Sequence, residues 1–417
     1  MARRKKKVGD NDGDDVDYDG EETRGFQPST PSSSTSTSSS SATIYSMPPL
    51  YDLAFGYRDY IEEVDFLLDA HGQYSQYSTP ATTGTNPLRI LELAAGPARH
   101  SLAALSEYPP SVVDSVVALD LSKEMVEYGL ENARHELGDA GDAGDGGRRN
   151  DFTYLCGDMR TIPEVIEKHY TATDTIDSSG GGNGDGDGND GSGSKLLFDT
   201  AWLLLGSMQH LLTNDDIIAC LSSIHSVLHD GGTLVIELPH PRETFSMGEC
   251  TRNGWTVPLV EGGGAGANYE DDDDDDDYDE NEDYDEQDDE EENNDNGNNE
   301  NEYGQLNIIW GEQDDIFNPV SQIRHFTVKM ELTVNNPNDI PKDIAFIKMN
   351  QENGTKASVS QIVPLRLFTL QEIDALGRCA GFELVGTYGA LDGDVSIEEE
   401  EEAFRMVCVL RKKRVGR

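Results

Sequence analysis

The sequence predicts an α/β fold: a doubly wound sheet of seven strands, mostly parallel, that closes with an antiparallel C-terminal hairpin. Short apolar runs alternate with segments of helical periodicity along residues 88–239, which is typical of a parallel sheet with helices on both faces. Two apolar runs near the C-terminus flank a short acidic stretch, as in a hairpin. Between these regions, alternating apolar and polar residues at about 305–350 indicate a small antiparallel β cap.

The first half of the chain accounts for the parallel part of the sheet. An opening helical pattern at 51–72 predicts one amphipathic helix. Ser122 and Asn214 stand before two later helical patterns and belong to the residue types that cap helix N-termini. In chain order, the sequence then predicts a strand at 88–96, a helix at 98–108, a strand at 111–120, a helix at 122–137, strands at 152–158 and 196–207, a helix at 214–229 and a strand at 232–239.

The second half of the chain supplies the antiparallel elements. Turn signals such as Asn335, Asn336 and Pro337 separate the strands of the cap. The predicted elements are cap strands at 305–311, 323–334 and 343–350, a helix at 369–381, and the two hairpin strands at 382–389 and 403–412.

The charge of the chain is concentrated in low-complexity segments. The formal net charge is -50 for 417 residues, and about twenty-two carboxylates lie within residues 270–302. Such a block repels itself and buries too little apolar area to offset its chain entropy, so we expect a disordered acidic insert at about 262–303. Stretches rich in Gly, Asp and Ser predict two more inserts, at about 138–150 and 171–194. Residues 1–46 are expected to be a disordered tail, and 47–417 a single domain.

Composition also narrows the compartment and the partners. The sequence has no run of eighteen apolar residues and no apolar signal core, so we expect no membrane span. Five scattered cysteines without CxxC spacing favour reduced thiols over disulfides or a metal site. These features predict a cytoplasmic protein, although the basic cluster Arg3, Arg4, Lys5, Lys6 and Lys7 leaves a nuclear address open. The net charge opposes binding to nucleic acid.

The turn after the first strand is the first candidate binding site. In open parallel sheets, ligands bind at the carboxyl ends of the strands, where the strand order reverses. Here the turn reads ELAAGPARH, and the small residues Ala94, Ala95 and Gly96 let a ligand approach the backbone. A phosphate-binding GxGxxG would place glycines where this chain has Ala94 and Arg99, which argues against a dinucleotide.

Acidic residues stand at the ends of three successive strands. Asp120 lies where an acid accepts hydrogen bonds from ribose hydroxyls in nucleotide sites. Glu92 and Asp158 end the first and third strands. Together the three acids suit a cationic ligand that carries hydroxyl and amine groups.

With ILELAAGPARHS, VVALDLSKEM, CGDM and LLLGSMQHLL in this order, the chain resembles class I S-adenosylmethionine-dependent methyltransferases over roughly 50–170, 195–245 and 360–412. The resemblance implies S-adenosylmethionine as cofactor and an antiparallel closing hairpin. It implies these roles: Ala94, Ala95 and Gly96 along the methionine part, Glu92 near its amino group, Asp120 on the ribose with Leu121 against the adenine, Asp158 and Met159 at the adenine, and Leu205, Gly206 and Ser207 beneath the sulfonium.

The opening segment YDLAFGYRDYIEEV resembles the N-terminal helix with which small-molecule methyltransferases cover the cofactor. This resemblance implies that Arg58 and Tyr60 reach the methionine carboxylate, and it favours a small-molecule acceptor. The sequence does not identify the acceptor, and a protein acceptor stays open. His210 is the nearest candidate base for an acceptor that is protonated at working pH, with a structural hydrogen bond as the alternative.

The cap and the acidic insert leave further interpretations open. Residues of the cap region that could meet a substrate are Trp310, Arg324, His325 and Arg366, each with a structural role as the alternative. Trp202 and Trp255 are expected to pack in the interior. In a second interpretation of the whole chain, a degenerate methyltransferase fold is a binding module that recruits a basic protein through the acidic insert.

Overall fold

The computed structural model describes residues 43–76, 87–138, 147–177, 196–245, 253–260, 302–336, 355–400 and 402–414. Its α-helices are α1 (Pro48–Phe55), α2 (Tyr60–Tyr74), α3 (Arg99–Glu107), α4 (Lys123–Leu137), α5 (Ile162–Asp177), α6 (Asn214–Val227), α7 (Pro241–Phe245) and α8 (Leu370–Cys379). Its strands are β1 (Leu88–Leu93), β2 (Val113–Asp120), β3 (Phe152–Cys156), β4 (Phe198–Leu203), β5 (Leu228–Pro239), β6 (Asn253–Val260), β7 (Glu302–Trp310), β8 (Phe317–Asn318), β9 (Ile323–Val334), β10 (Lys356–Arg366), β11 (Phe382–Tyr388) and β12 (Arg405–Lys412). Short 3₁₀ helices are described at Ile44–Ser46, Arg149–Asp151, Met159–Thr161 and Ser207–His210.

The main sheet has seven strands in the order β11-β12-β5-β4-β1-β2-β3. The strands from β3 to β5 along this order pair in parallel, whereas β12 is antiparallel to both of its neighbours, β5 and β11. The predicted fold class is therefore confirmed. Because the chain runs outward through β2 and β3 on one side and through β5 on the other, the order reverses between β1 and β4. Such a reversal leaves a crevice at the carboxyl ends of the strands.

Helices cover both faces of this sheet. Neighbouring residues of a strand point to opposite faces, so Ile90 packs with Leu102 of α3 on one face, and Leu91 packs with Ile224 of α6 on the other. The two faces thus form two separate apolar cores. Within the described residues, no helix combines the length and the hydropathy of a membrane span.

The single helix predicted at 51–72 is wrong, because the segment forms two helices. α1 ends at Phe55, and α2 begins at Tyr60. Asp59 caps α2, since its carboxylate accepts hydrogen bonds from the backbone N–H groups of Ile61 and Glu62, both at 3.0 Å. A side-chain oxygen at this position satisfies backbone donors that the first turn leaves unpaired.

The cap is a second, antiparallel sheet, with five strands among the described residues, and is larger than predicted. Its order is β10-β9-β7-β6, with β8 paired to β9. β9 has the predicted bounds, whereas β6 and β10 were not predicted. The strand predicted at 343–350 lies outside the described residues. The apolar face of this sheet packs on the N-terminal segment, where Ile308 shares a core with Ile44 and Leu50.

Some element boundaries differ from the predicted ones. Thr213, and not Asn214, caps α6, because its hydroxyl accepts a hydrogen bond from the backbone N–H of Asp216 at 3.1 Å. α5 was not predicted and continues into the segment assigned to an insert at 171–194. Arg148, within the insert assigned to 138–150, donates to the carbonyl of Tyr108 at 2.5 Å.

Candidate functional site

Two turns with unusual backbone geometry meet at the carboxyl ends of the neighbouring strands β1 and β4. After β1, Ala94 and Gly96 have φ values of 50° and 53°. After β4, Leu205 and Gly206 have φ values of 54° and 69°. Positive φ in a residue other than glycine costs about 1–3 kcal/mol and is concentrated at functional sites. All four residues line the same cavity.

Asp120 ends β2 beside these turns. One of its carboxylate oxygens accepts a hydrogen bond from the Gly96 N–H at 3.0 Å, and the other from the Ser122 N–H at 2.8 Å. Burial raises the pKa of Asp120 above its ordinary value, and the two backbone N–H groups oppose that rise. A carboxylate has more acceptor positions than these two bonds use. Asp120 can therefore accept further hydrogen bonds from a molecule in the cavity that it lines.

The cavity has a volume of about 670 Å³, which lies within the range of small-molecule sites. The strand ends of the main sheet form one side, and α1 with the cap sheet forms the other. Its aromatic lining consists of Tyr45, Tyr51, Phe55, Tyr57, Trp255, Trp310, Phe326 and Phe404. Its charged lining residues are Asp120, Glu237, Arg324 and Arg405.

The structure places most of the residues that the sequence singled out in this lining. They are Ala94, Gly96, Asp120, Leu121, Met159, Leu205, Gly206, Ser207 and His210. A Cβ atom built on Gly96 would lie 3.8 Å from Cε1 of Tyr51. A larger side chain at this position would meet Tyr51 within the cavity.

Arg58 and Glu92 are held by protein groups and are not among the described residues that line the cavity. The Arg58 guanidinium donates to Glu63 at 2.7 Å and to Glu237 at 3.0 Å. The Glu92 carboxylate accepts hydrogen bonds from the backbone N–H of Ser101 at 3.0 Å and from the Ser101 hydroxyl. Glu92 is thus bonded to the first turn of α3.

Tyr60, Ala95 and Asp158 also lie outside the lining of the large cavity. The Tyr60 hydroxyl donates to the Phe55 carbonyl at 3.0 Å. Ala95 is buried, and its N–H donates to the carbonyl of Leu119 at 3.1 Å. Hydrogen bonds from Arg160 lower the pKa of Asp158 below its ordinary value. Among the described residues, no His, Cys, Asp and Glu side chains are grouped as ligands of a metal ion.

Glu237 is a cavity residue that the sequence reasoning missed. It is 1% exposed near the end of β5, and Arg58 at 3.0 Å and Arg405 at 3.3 Å pair with the same carboxylate oxygen. The other oxygen accepts a hydrogen bond from the Leu205 N–H at 2.9 Å. Burial acts to raise the pKa of Glu237, but the two arginine charges outweigh it and hold the pKa below its ordinary value. Its position as an acid near the end of a predicted strand could have identified it from the sequence.

His210 lies at the end of the 3₁₀ helix after β4 and contacts Tyr45. Its Nε2 atom is 3.1 Å from the Tyr45 hydroxyl. The ring is exposed to the cavity, while the protein that surrounds it lowers the pKa of His210 below its ordinary value. Tyr45 falls within the predicted tail, so sequence reasoning missed it.

The cap residues take different positions. Trp310 and Arg324 line the cavity, and so does Trp255, which was expected only to pack. His325 is exposed, and Arg366 is buried and pairs with Glu372 at 3.2 Å. Trp202 is fully buried in the core beneath the sheet, as expected.

Comparison with known proteins gives matches at the level of structure alone. No family model matches the chain, and no curated protein matches its sequence. A S-adenosylmethionine-dependent methyltransferase from Clostridium acetobutylicum is 11% identical, with a TM-score of 0.46 over 86% of this chain and 93% of that chain. DesVI from Streptomyces venezuelae is 15% identical, with a TM-score of 0.47 over 88% of this chain and 97% of that chain.

A third similar structure is that of CalS10, an amino pentose methyltransferase from Micromonospora echinaspora with S-adenosylmethionine bound. It is 14% identical, with a TM-score of 0.46 over 87% of this chain and 97% of that chain.

Proposed function

We propose that this chain is an S-adenosylmethionine-dependent methyltransferase that acts on a small-molecule acceptor. One observation carries the proposal: the Asp120 carboxylate and the left-handed turns after β1 and β4 line a single cavity of about 670 Å³ at the reversal of strand order. The sequence resemblance to class I methyltransferases supports it, because the same turns and the same acid are the residues that match.

The residues of the cavity fit this cofactor. Asp120 would hold the ribose hydroxyls, and Leu121 and Met159 offer apolar surface to the adenine. The backbone at 94–96 and 205–207 would surround the methionine part. Asp120 places a carboxylate in the lining, and negative charge at close range stabilises a cationic sulfonium.

When bound, S-adenosylmethionine supplies an electrophilic methyl group on a good leaving group. The protein then has to align the acceptor and exclude water, and alignment contributes up to about 7–11 kcal/mol. The aromatic lining offers flat apolar surface on which an acceptor can be oriented. An acceptor that arrives protonated needs a base, and His210, whose pKa burial lowers, is the candidate in the cavity lining on which that proton charge would come to rest.

Calorimetric titration with S-adenosylhomocysteine, the demethylated product, tests the cofactor half of the proposal. The intact chain should bind it, and Asp120→Asn should weaken binding about tenfold to a hundredfold, because hydrogen bonds to a charged group contribute about 1.5–3 kcal/mol. Asp114→Asn is the matched control, since Asp114 is exposed at the other end of β2. Absence of binding heat in the intact chain would overturn the proposal.

Incubation of the chain with a metabolite pool and methyl-labelled cofactor tests the acceptor half. We expect the label to appear in a small molecule, and Asp120→Asn to reduce its rate of appearance. Label that appears only in protein would contradict a small-molecule acceptor and leave the cofactor half intact.

A further inference from the structure

Tyr45 and His210 form a hydrogen-bonded pair within the wall of the cavity. The Tyr45 Oη and His210 Nε2 atoms are 3.1 Å apart, and the two rings meet edge to face with centroids 5.4 Å apart at an angle of 82°. Both side chains line the cavity that contains Gly96 and Asp120. The pair therefore borders the space where the proposed cofactor and acceptor would meet.

Both members of the pair are held by their own segments. The Ser122 hydroxyl donates to the Tyr45 carbonyl at 3.2 Å, and the neighbouring Ile44 N–H donates to Gln361 at 3.1 Å. Ile44 itself is fully buried. On the other side, Met208 is buried just before His210. Anchors on both segments keep the two polar atoms at hydrogen-bonding distance.

We infer that the Tyr45 hydroxyl takes the proton that the acceptor loses and hands its own proton to His210. This inference rests on the proposed methyl transfer and adds the path of the proton to it. Tyr45 contacts the acceptor, and His210 lies behind Tyr45 in the path.

The resting protonation states of the pair set the direction of its hydrogen bond. Burial raises the pKa of Tyr45, and Tyr51 and Asp120 raise it further, so Tyr45 is a neutral phenol. Burial lowers the pKa of His210. Two strands, β10 and β5, pack against the 3₁₀ helix that carries His210. In the cavity lining, β10 contributes the apolar Leu365, and β5 contributes the charged Glu237. A neutral phenol donates and a neutral imidazole accepts at Nε2, which places the imidazole proton on Nδ1.

The transfer moves one proton at each site and needs no oxidant or reductant. As the acceptor atom forms its bond to the methyl carbon, its N–H or O–H bond breaks and the proton moves to Tyr45 Oη. The former Tyr45 proton moves to His210 Nε2, so His210 becomes an imidazolium. Because the ring is exposed to the cavity, the imidazolium can then release a proton to solvent.

NMR of the intact chain with ¹⁵N-labelled histidine tests the pair without any acceptor. We expect His210 to carry its proton on Nδ1. Tyr45→Phe should shift the tautomer towards Nε2–H and raise the pKa of His210 by about half a unit to one unit, because the lost hydrogen bond favoured the neutral ring. Tyr74→Phe removes a hydroxyl bonded to Tyr388 and is the matched control. An unchanged His210 tautomer and pKa in Tyr45→Phe would overturn the inference.

Once labelling has identified the acceptor, steady-state kinetics can tell whether the Tyr45–His210 hydrogen bond transfers a proton or is only structural. Tyr45→Phe and His210→Gln should each lower kcat/KM by about 10²–10⁴ at pH 7, and the double variant should be no slower, because residues that act as a unit are not additive. The loss should shrink at high pH, where the acceptor sheds its proton unaided. A variant rate equal to that of the intact chain would contradict the relay.

Binding of S-adenosylhomocysteine distinguishes failure of the proton relay from failure of the proposed function. Tyr45→Phe and His210→Gln should each bind S-adenosylhomocysteine within about twofold of the intact chain, since neither side chain is assigned to the cofactor. If the intact chain fails to bind it, the proposed function fails, whatever His210 reports by NMR. If it binds and His210 does not respond to Tyr45→Phe, the relay alone fails.

Discussion

His100 lies between two carboxylates at the start of α3. Its Nε2 atom is 2.6 Å from Glu63, and its Nδ1 atom is 3.6 Å from Glu92. Burial acts to lower the pKa of His100, but the two carboxylates outweigh it and raise the pKa to about 9. The imidazolium thus continues a row of alternating charges that runs through Glu63 and Arg58 to Glu237.

This position predicts that stability falls as the pH rises. The folded pKa of about 9 exceeds the unfolded value of about 6.5. The contribution of His100 is therefore complete below about pH 6.5 and lost as the pH rises through 9. The loss is at most roughly 3–4 kcal/mol, since one pKa unit corresponds to about 1.4 kcal/mol. Urea unfolding across this range should show it in the intact chain and not in His100→Asn.

The matched control is His135→Asn, because His135 is 75% exposed on α4. That variant should retain the pH dependence of the intact chain. A His100→Asn protein with the same dependence would show that another group titrates.

Substitution by alanine should have opposite effects on the free energy of unfolding at Gly96 and at Gly72. Gly96 has a φ of +53°, so alanine there should cost about 1–2 kcal/mol of unfolding free energy through backbone strain alone. Gly72 lies within α2 with no atom within 4 Å of a built Cβ, so alanine there should stabilise by about 0.5–1 kcal/mol. Chemical denaturation of the two variants measures both, and equal shifts would contradict the left-handed conformation of Gly96.

At the residue scale, the sequence identified side chains whose position follows from the neighbouring residues. Asp120 and Gly96 stand directly at the ends of apolar runs that predict strands, and both line the cavity. Tyr45 could not be found in this way, because it reaches His210 across 165 positions of the chain. Whether Arg58, Glu92 and Asp158 contact a cofactor stays a prediction, since each is bonded to protein groups in the structure.

At the element scale, the sequence located strands with a strong apolar signal and missed elements whose signals conflict. β10 contains Pro364 opposite His325 of β9, and proline argues against a strand in a sheet interior. β10 is the terminal strand of the cap sheet, where a missing donor is tolerated.

The break between α1 and α2 could have been predicted from the sequence. Asp59 is a good N-cap, but it stood inside the pattern of one long helix.

The shared core of the cap sheet and α1 predicts that damage to one element loosens the other. Ile308 on β7 is 1% exposed, whereas Ile362 on β10 is 63% exposed. Ile308→Ala should cost about 2–5 kcal/mol, and Ile362→Ala within about 0.5 kcal/mol. Denaturation measures both. Ile308→Ala should also weaken binding of S-adenosylhomocysteine, because α1 contributes Tyr51 to the cavity; unaltered affinity would indicate that α1 does not depend on the cap.

At the scale of the whole molecule, the acidic segment enters and leaves the fold at one point. Val260 at the end of β6 pairs with Glu302 at the start of β7. A two-residue Asn-Gly turn suits such a hairpin, so residues 261–301 can be replaced by this turn. The shorter loop should keep stability unchanged or raise it by up to about 3 kcal/mol, since each halving of loop length contributes about 0.6 kcal/mol. Thermal unfolding and binding of S-adenosylhomocysteine measure the outcome.

The same replacement distinguishes the two interpretations of the chain. If the acidic segment recruits a basic protein, its removal should abolish capture of histones, used as the basic probe, and leave cofactor binding intact. If cofactor binding is lost with the segment, the segment is part of the proposed site, contrary to expectation.

The strands of the cap have a genetic consequence. They all lie between Pro239, where β5 ends, and Leu370, where α8 begins. Trp255, Trp310 and Phe326 therefore come from one contiguous stretch of the amino-acid sequence, whereas Gly96 and Asp120 lie outside it. One recombination event could exchange the cap strands of that wall for others and leave α1 in place. New acceptors could thus be sampled by replacing a cassette, while the strand-end turns pass through the exchange untouched.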